Sequence, residues 1–419
     1  MKKYFLFLLI VLMSVVVLSA CQSDEGNSST NNDDGNSSDV VTLDVIWFSD
    51  GNEGEVFKEI TDKYSEDHPN VKFNIIDTPY DDLFNRIRTR VSGGDAPDLA
   101  RISGVGHIQD ALLDLTPYVD DDFLGQFVDA AQPTVVRDEK ILGVPTDLTA
   151  HGLYYNKDYF EQAGVEVPSS PEDVWTWEEF ADALEKVKEN SDARFGLAYD
   201  LSPSRYSTLI YQNGGRIFAE DQETLSVNEP EAVGALNYFK ELHDREITPD
   251  SIWLGGENPN SLFRSGQAAA HWSGNWNLQT YDENADFNWG VTYMPKGTQR
   301  SSVAGGKQMV GFKDSKHKDE VSDFLLYFAS QEVNEEFVSK SLFLSTRIDN
   351  VDVEYSLRSD EMNVFAQELA ATSQIPTLDW ENPNMPAVET LITENVQRVL
   401  ADDLSPQEAM DAVVENADY

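Results

Sequence analysis

Three observations predict an α/β fold with helices packed on the faces of a sheet. Strand-like and helix-like segments alternate from Val40 onward, and 419 residues leave room for two or more domains. A content of 40% hydrophobic and 11% aromatic residues is that of a chain that buries cores. Val41 to Phe48 reads as a strand ending in the polar turn Ser49-Asp50-Gly51-Asn52. Val56, Ile60 and Tyr64, four apart, place a helix next, and His68-Pro69 stops it. Val71, Phe73 and Ile75 alternate as a second strand, and Leu83, Ile87 and Val91 mark a second helix closed by Gly93-Gly94. A short strand from Leu99 to Ile102 follows Pro97. Downstream, Thr176-Trp177-Glu178-Glu179 is a capping box that opens a helix with Phe180, Leu184 and Val187 on one face. Asn228 and Glu231 offer a similar start for a helix through Leu242. Val321, Phe324, Leu325 and Phe328 repeat at helical spacing, and Ser405-Pro406-Gln407-Glu408 joins a capping box to a proline at the first helical position. No 20–50-residue repeat is present, which argues against a solenoid.

The first residues bear on compartment. Lys2 and Lys3 precede an apolar run from Phe5 to Leu18, which is shorter than the roughly 20 residues a bilayer span needs. Leu18-Ser19-Ala20-Cys21 resembles the bacterial lipobox, so residues 1–20 read as a lipoprotein signal peptide and Cys21 as the lipidated membrane anchor. Residues 21–39 hold almost nothing that can bury apolar area and read as a disordered tether. A single cysteine excludes an intrachain disulfide and Cys-based metal clusters. With 75 acidic residues against 30 basic ones, the net charge of −45 repels polyanions and argues against a nucleic-acid partner. The same acidity fits an exported protein facing a salty medium, where self-repulsion is screened.

Common catalytic and cofactor motifs are absent or broken. No Gly-x-Ser-x-Gly elbow occurs, Gly104-x-Gly106 lacks the third glycine of a dinucleotide loop, and Gly306-Lys307 is followed by Gln308 where a P-loop needs Ser or Thr. The six histidines form no His-Glu-x-x-His array. Asp120 and Asp122 mimic a calcium loop, but Leu124 and Ala131 break it and leave a solvated acidic turn. Carboxylate pairs are too abundant here to be informative, so a carbohydrate-active hydrolase stays open. The unusual segment is His271-Trp272-Ser273-Gly274-Asn275-Trp276, with Trp380 between Pro376 and Pro383 in a loop-like stretch. Indole faces stack on the apolar faces of sugar rings, although either tryptophan of the first segment could be core.

The order of several segments resembles family 1 extracellular solute-binding proteins, the receptor subunits of ABC importers, which include the maltodextrin-binding proteins. The segments are Gly93-Gly94-Asp95-Ala96-Pro97-Asp98-Leu99, Leu112 to Tyr118, Gly143-Val144-Pro145, Tyr154 to Asp158, Asn213-Gly214-Gly215, Phe263 to Ala269 leading into Gly274-Asn275-Trp276, and Ala304-Gly305-Gly306. The resemblance implies two α/β lobes of the type II periplasmic-binding-protein kind. They would be joined by a hinge crossed three times, near Leu148 to His151, Ala304 to Gln308, and Ser345 to Val353. Residues 40–148 plus 309–345 would form the first lobe, and residues 149–304 plus 353–419 the second. It further implies a monomeric receptor, without cofactor or catalysis, that takes a sugar or oligosaccharide to permease subunits. A phosphorylated polyol or a metal is the alternative cargo.

Carried over by position, Asp50, Asn52, Glu53, Arg101, Ser103 and His107 would line the first-lobe side of the cleft. Arg205 and Tyr206 would line the second, with Trp276 as the stacking aromatic. Asp147, Gly306 and Lys307 lie beside the expected hinge, and Trp380 would offer an exposed platform. Ile392 stands where maltodextrin binders carry an aromatic, which counts against that ligand.

Overall fold

Strands and helices alternate through residues 40–350 and 352–418, the part of the chain that the computed structural model describes. The expected signal peptide, Cys21 and the tether fall outside these residues. Strands β1 (Val41–Trp47), β2 (Val71–Asp77) and β3 (Leu99–Ile102) are linked by helices Glu53–Asp67 and Leu83–Ser92. A small hairpin, β4 (Val136–Arg137) with β5 (Lys140–Ile141), leads to β6 (Val144–Thr149) and β7 (His151–Asn156). Then come β8 (Phe195–Tyr199), β9 (Ala268–Gly274), β10 (Trp289–Thr292) and β11 (Gly305–Gly311). One sheet has the order β2-β1-β3-β11-β6 and the other the order β10-β7-β9-β8. Each carries helices, giving a two-lobe α/β architecture in which one apolar cluster belongs to the second sheet alone and another runs from β1 and β6 through to Tyr154 and Trp289 of β7 and β10.

Strand periodicity explains how the first sheet is covered on both faces. Leu43, Val45 and Trp47 of β1 point into one apolar cluster, while Ile46 and the following Phe48 point into another. β1 runs parallel to β2 and β3, a pairing that needs helical crossovers and therefore buries both faces. Trp47 stacks on Phe57 of the first helix with ring centroids 3.9 Å apart. β11 enters the same sheet from far along the chain, antiparallel to both β3 and β6. Only Ala150 separates β6 from β7, so the chain passes between the sheets in a single residue. Leu344 returns to Leu148 through two backbone hydrogen bonds of 2.8 and 3.0 Å, and helix Ser359–Ala370 then packs on β7 and β10.

The capping boxes at Thr176 and Ser405 form, each side chain accepting the amide three residues on. Two expectations change. The helix expected from Asn228 starts at Pro230 with Glu229 as its N-cap, and the Asn228 side chain donates instead to Asp411. Trp380 ends a short helix, Ile375–Trp380, rather than sitting in a loop. Pro376 occupies the first turn, where its missing N–H costs nothing. The Asp379 carboxylate accepts the amides of Ile217 and Phe218 and so fastens this helix to the second-lobe core. Ile392 is fully buried in that core.

Glu368 ties helix Ser359–Ala370 to the chain ahead of β11, its Oε1 accepting the Met294 amide and the Arg300 guanidinium. Its Oε2 is buried without a partner. Burial raises its pKa from the ordinary 4.5 to about 7 against the pull of Arg300. The folded chain therefore holds this proton more tightly than the unfolded chain, and the group's contribution to stability falls as pH rises from about 4.5 to 7. Glu368→Gln is expected to flatten that slope and to gain about 3 kcal/mol over the parent at pH 8. Urea unfolding across the pH series measures it.

Candidate ligand-binding cleft

A cleft of about 670 Å³ opens where β6, β7 and β11 meet, with walls from both lobes. Its volume lies within the roughly 300–1,000 Å³ range of small-molecule sites. On the first-lobe side the turns after β1 and β3 supply Asp50, Ser103 and His107. Gly104 takes φ 122°, which favours glycine, and its amide donates to Gln308 Oε1 at 2.8 Å, drawing the β3 turn over β11. The Ser103 hydroxyl lies 2.9 Å from that of Tyr80. Between Lys307 and Gln308 the pairing of β11 with β6 shifts register, a bulge of the kind that re-aims side chains. Gly306 and Lys307 line the cleft beside it. Burial first, then the charges of Arg88 and Arg137, lowers the His107 pKa and keeps that ring neutral at pH 7.

Beneath this wall lies a fully buried ion triad. Within β3, Ala100 and Ile102 face one apolar cluster, so Arg101 shares the opposite face with Leu99. Its guanidinium pairs with Glu53 at 3.0 Å and Asp147 at 3.2 Å and donates to the Phe48 carbonyl at 3.0 Å. The rings of Trp47, Phe48 and Phe343 surround it at 4.7–5.4 Å. Burial opposes its charge, but Asp147 and Glu53 outweigh it and raise its pKa further. Glu53 in turn accepts the amides of Asp50 at 2.5 Å and Gly51 at 2.8 Å, which fixes the turn that enters the cleft.

The second-lobe wall is built around Trp276. A Cβ on Gly274 would lie 1.8–2.4 Å from three atoms of the indole, so the ring rests directly on glycine backbone. The Arg205 guanidinium sits over the indole at 4.6 Å and pairs with Asp200 at 2.7 Å. Asp200 also accepts from His271 Nε2 at 2.7 Å, and His271 Nδ1 is 2.5 Å from the Tyr281 hydroxyl. Burial opposes the Asp200 charge, yet Arg205 and His271 hold its pKa below the ordinary carboxylate value. This buried chain orients Arg205. Trp380 lines the same cleft, half-buried, with its indole N–H donating to Ser207 at 3.1 Å.

Of the sequence-derived candidates, Asp50, Ser103, His107, Arg205, Trp276, Gly306, Lys307 and Trp380 line the cleft. Asn52, Glu53, Arg101, Asp147 and Tyr206 do not. Asn52 donates to the Lys340 carbonyl and so joins two first-lobe segments. Glu53, Arg101 and Asp147 form the triad, and Tyr206 is fully buried in the second-lobe core.

His151, Arg137, Glu381 and Glu389 also line the cleft and were missed. His151 follows Ala150 at the passage between sheets, and that position is the one signal that could have found it. Its Nδ1 lies 3.1 Å from the Thr208 hydroxyl and its ring meets Trp276 edge-on at 5.9 Å. Burial, aided by Arg205, pushes its pKa down to about 3, so the imidazole is neutral and offers a ligand hydrogen bonds without charge.

The family model for bacterial extracellular solute-binding proteins matches residues 49–335. The galactooligosaccharide-binding protein of Bacillus subtilis is 26% identical over 391 residues, covering 89% of this chain and 88% of the relative. The lactose-binding protein of Rhizobium radiobacter is 28% identical over 300 residues, covering 67% and 68%. An ABC substrate-binding protein from Listeria monocytogenes, solved in complex with cycloalternan, superposes with a TM-score of 0.77 at 23% identity, covering 90% of this chain and 97% of that one.

Arg101→Met leaves two carboxylates buried without their cation. A loss of about 3–5 kcal/mol in urea unfolding at pH 7 is expected.

Proposed function

This chain belongs to the bacterial extracellular solute-binding proteins, and from that premise we propose that its cleft captures a sugar or oligosaccharide for an ABC importer. One observation carries the reading: two indoles, Trp276 and Trp380, line one cleft together with hydrogen-bonding groups from both lobes. Stacking on the apolar face of a pyranose supplies affinity, and the polar groups match its hydroxyls and set specificity. The named ligands of the galactooligosaccharide- and lactose-binding relatives support this choice of cargo. A ligand that touches both walls binds the closed lobes better than the open ones and shifts the population toward closure. The closed shape is what the permease would read. The lobes in this proposal comprise residues 40–148 plus 309–345 and residues 149–304 plus 353–419. The protein is proposed to work as a monomer held at the extracellular face of the cell membrane by lipid on Cys21, with an acidic surface suited to salt.

Thermal-shift screening against galacto-oligosaccharides, lactose, arabino-oligosaccharides, maltodextrins and glycerol 3-phosphate is expected to give stabilisation by a saccharide, with no product on prolonged incubation. Stabilisation by glycerol 3-phosphate alone, or appearance of cleaved sugar, overturns the reading. Trp276→Ala is expected to weaken the saccharide found by at least about tenfold, or 1.4 kcal/mol, in calorimetry, while the circular-dichroism spectrum stays unchanged.

A further inference from the structure

Arg137 and Glu381 meet across the cleft. Arg137 ends β4 beside a tight two-residue turn in which Asp138 and Glu139 take φ 49° and 62°, a left-handed conformation that is uncommon for residues with a Cβ. Glu381 directly follows Trp380 and caps the helix that carries it. Guanidinium and carboxylate form an ion pair whose side chains are only 15% and 19% exposed. Arg137 Nη1 donates to the carbonyls of Pro133 at 2.8 Å and Val136 at 2.7 Å, and Nε is buried without a partner. The stem is thus anchored in the lobe of β1 to β6, and the tip reaches the lobe of β7 to β10.

Arg137 also lines a second space. A groove of about 540 Å³ adjoins the cleft, and Arg137 and Gln109 belong to the walls of both. Beyond them the groove is walled by Tyr118, Asp114, Lys140 and Lys318. An aromatic ring among hydrogen-bonding groups of both signs is the chemistry of the cleft repeated on one lobe. The ion pair stands where the cleft ends and the groove begins.

We propose that the Arg137–Glu381 bridge closes one end of the saccharide cleft and sets the length of chain it accepts. With the bridge intact, ligands contained in the cleft are held and longer ones are excluded. With it broken, the two spaces join, and the additional units of a longer chain lie in the groove beside Tyr118. The inference rests on the saccharide reading above and adds to it a pair of specificity-determining residues.

Calorimetry tests it with galacto-oligosaccharides, arabino-oligosaccharides and maltodextrins, each from disaccharide to hexasaccharide. The proteins are the parent, R137E, E381R and the double swap R137E/E381R. The parent is expected to prefer the short members of one series. Each single variant is expected to move the ratio of long-chain to short-chain dissociation constants toward long chains by at least about tenfold, and the double swap to restore the parent ratio. R137Q and E381Q, which remove one charge with little change of shape, replace the single variants if those fail to fold. An unmoved ratio, or an equal loss at every length, overturns the gate and leaves the saccharide reading standing. A parent that binds no member of any series overturns both.

Discussion

Arg101 is the charge around which the cleft is assembled. One buried guanidinium pairs with both Glu53 and Asp147, and Glu53 passes that order to the amides of Asp50 and Gly51. Ions taken out of water are tolerated only when each is paired and hydrogen-bonded. The geometry of β1, β3, β6 and the first helix is therefore coupled through a single side chain. The cleft turn is held because its carboxylate anchor cannot let go without leaving the Arg101 guanidinium short of a partner among the rings of Trp47, Phe48 and Phe343.

The two walls use different means to the same end. On the first, the backbone does the positioning: a left-handed glycine, a bulge in β11 and a carboxylate-bound turn set where Ser103, Lys307 and Asp50 point. On the second, side chains orient one another from Tyr281 through His271 and Asp200 to Arg205 and then Trp276. That second arrangement keeps a cation against the indole. An incoming ring must either share that surface with Arg205 or shift it, so the pocket favours ligands whose hydroxyls can satisfy the guanidinium.

Much of the fold was legible because it follows from periodicity. Alternation in β1 and β2, helical stripes and two capping boxes need only local rules, and the ordered motifs supplied the two-lobe plan. The site was legible in part, and its misplacements share a cause. Arg101 looks like a ligand-binding cation in the sequence, yet the sheet is covered on both faces, so the face opposite Ala100 and Ile102 is buried as well. Tyr206 neighbours Arg205 in sequence, but adjacent helical positions face different directions, and only Arg205 reaches the cleft. Trp380 looked loop-bound because the prolines flanking it read as breakers, whereas Pro376 begins its helix. Arg137 and Glu381, which are 244 residues apart, could not be paired without the tertiary fold.

Asn275 has a consequence for how the molecule moves. Its Oδ1 accepts the Ala150 amide at 3.1 Å and its Nδ2 donates to the Leu342 carbonyl at 2.9 Å. One small amide thus rivets the passage between the two sheets to the end of helix Gln331–Ser341, like a pin through an axle. Neither stretch can shift away from the other without breaking one of these two bonds, so a single buried side chain couples them.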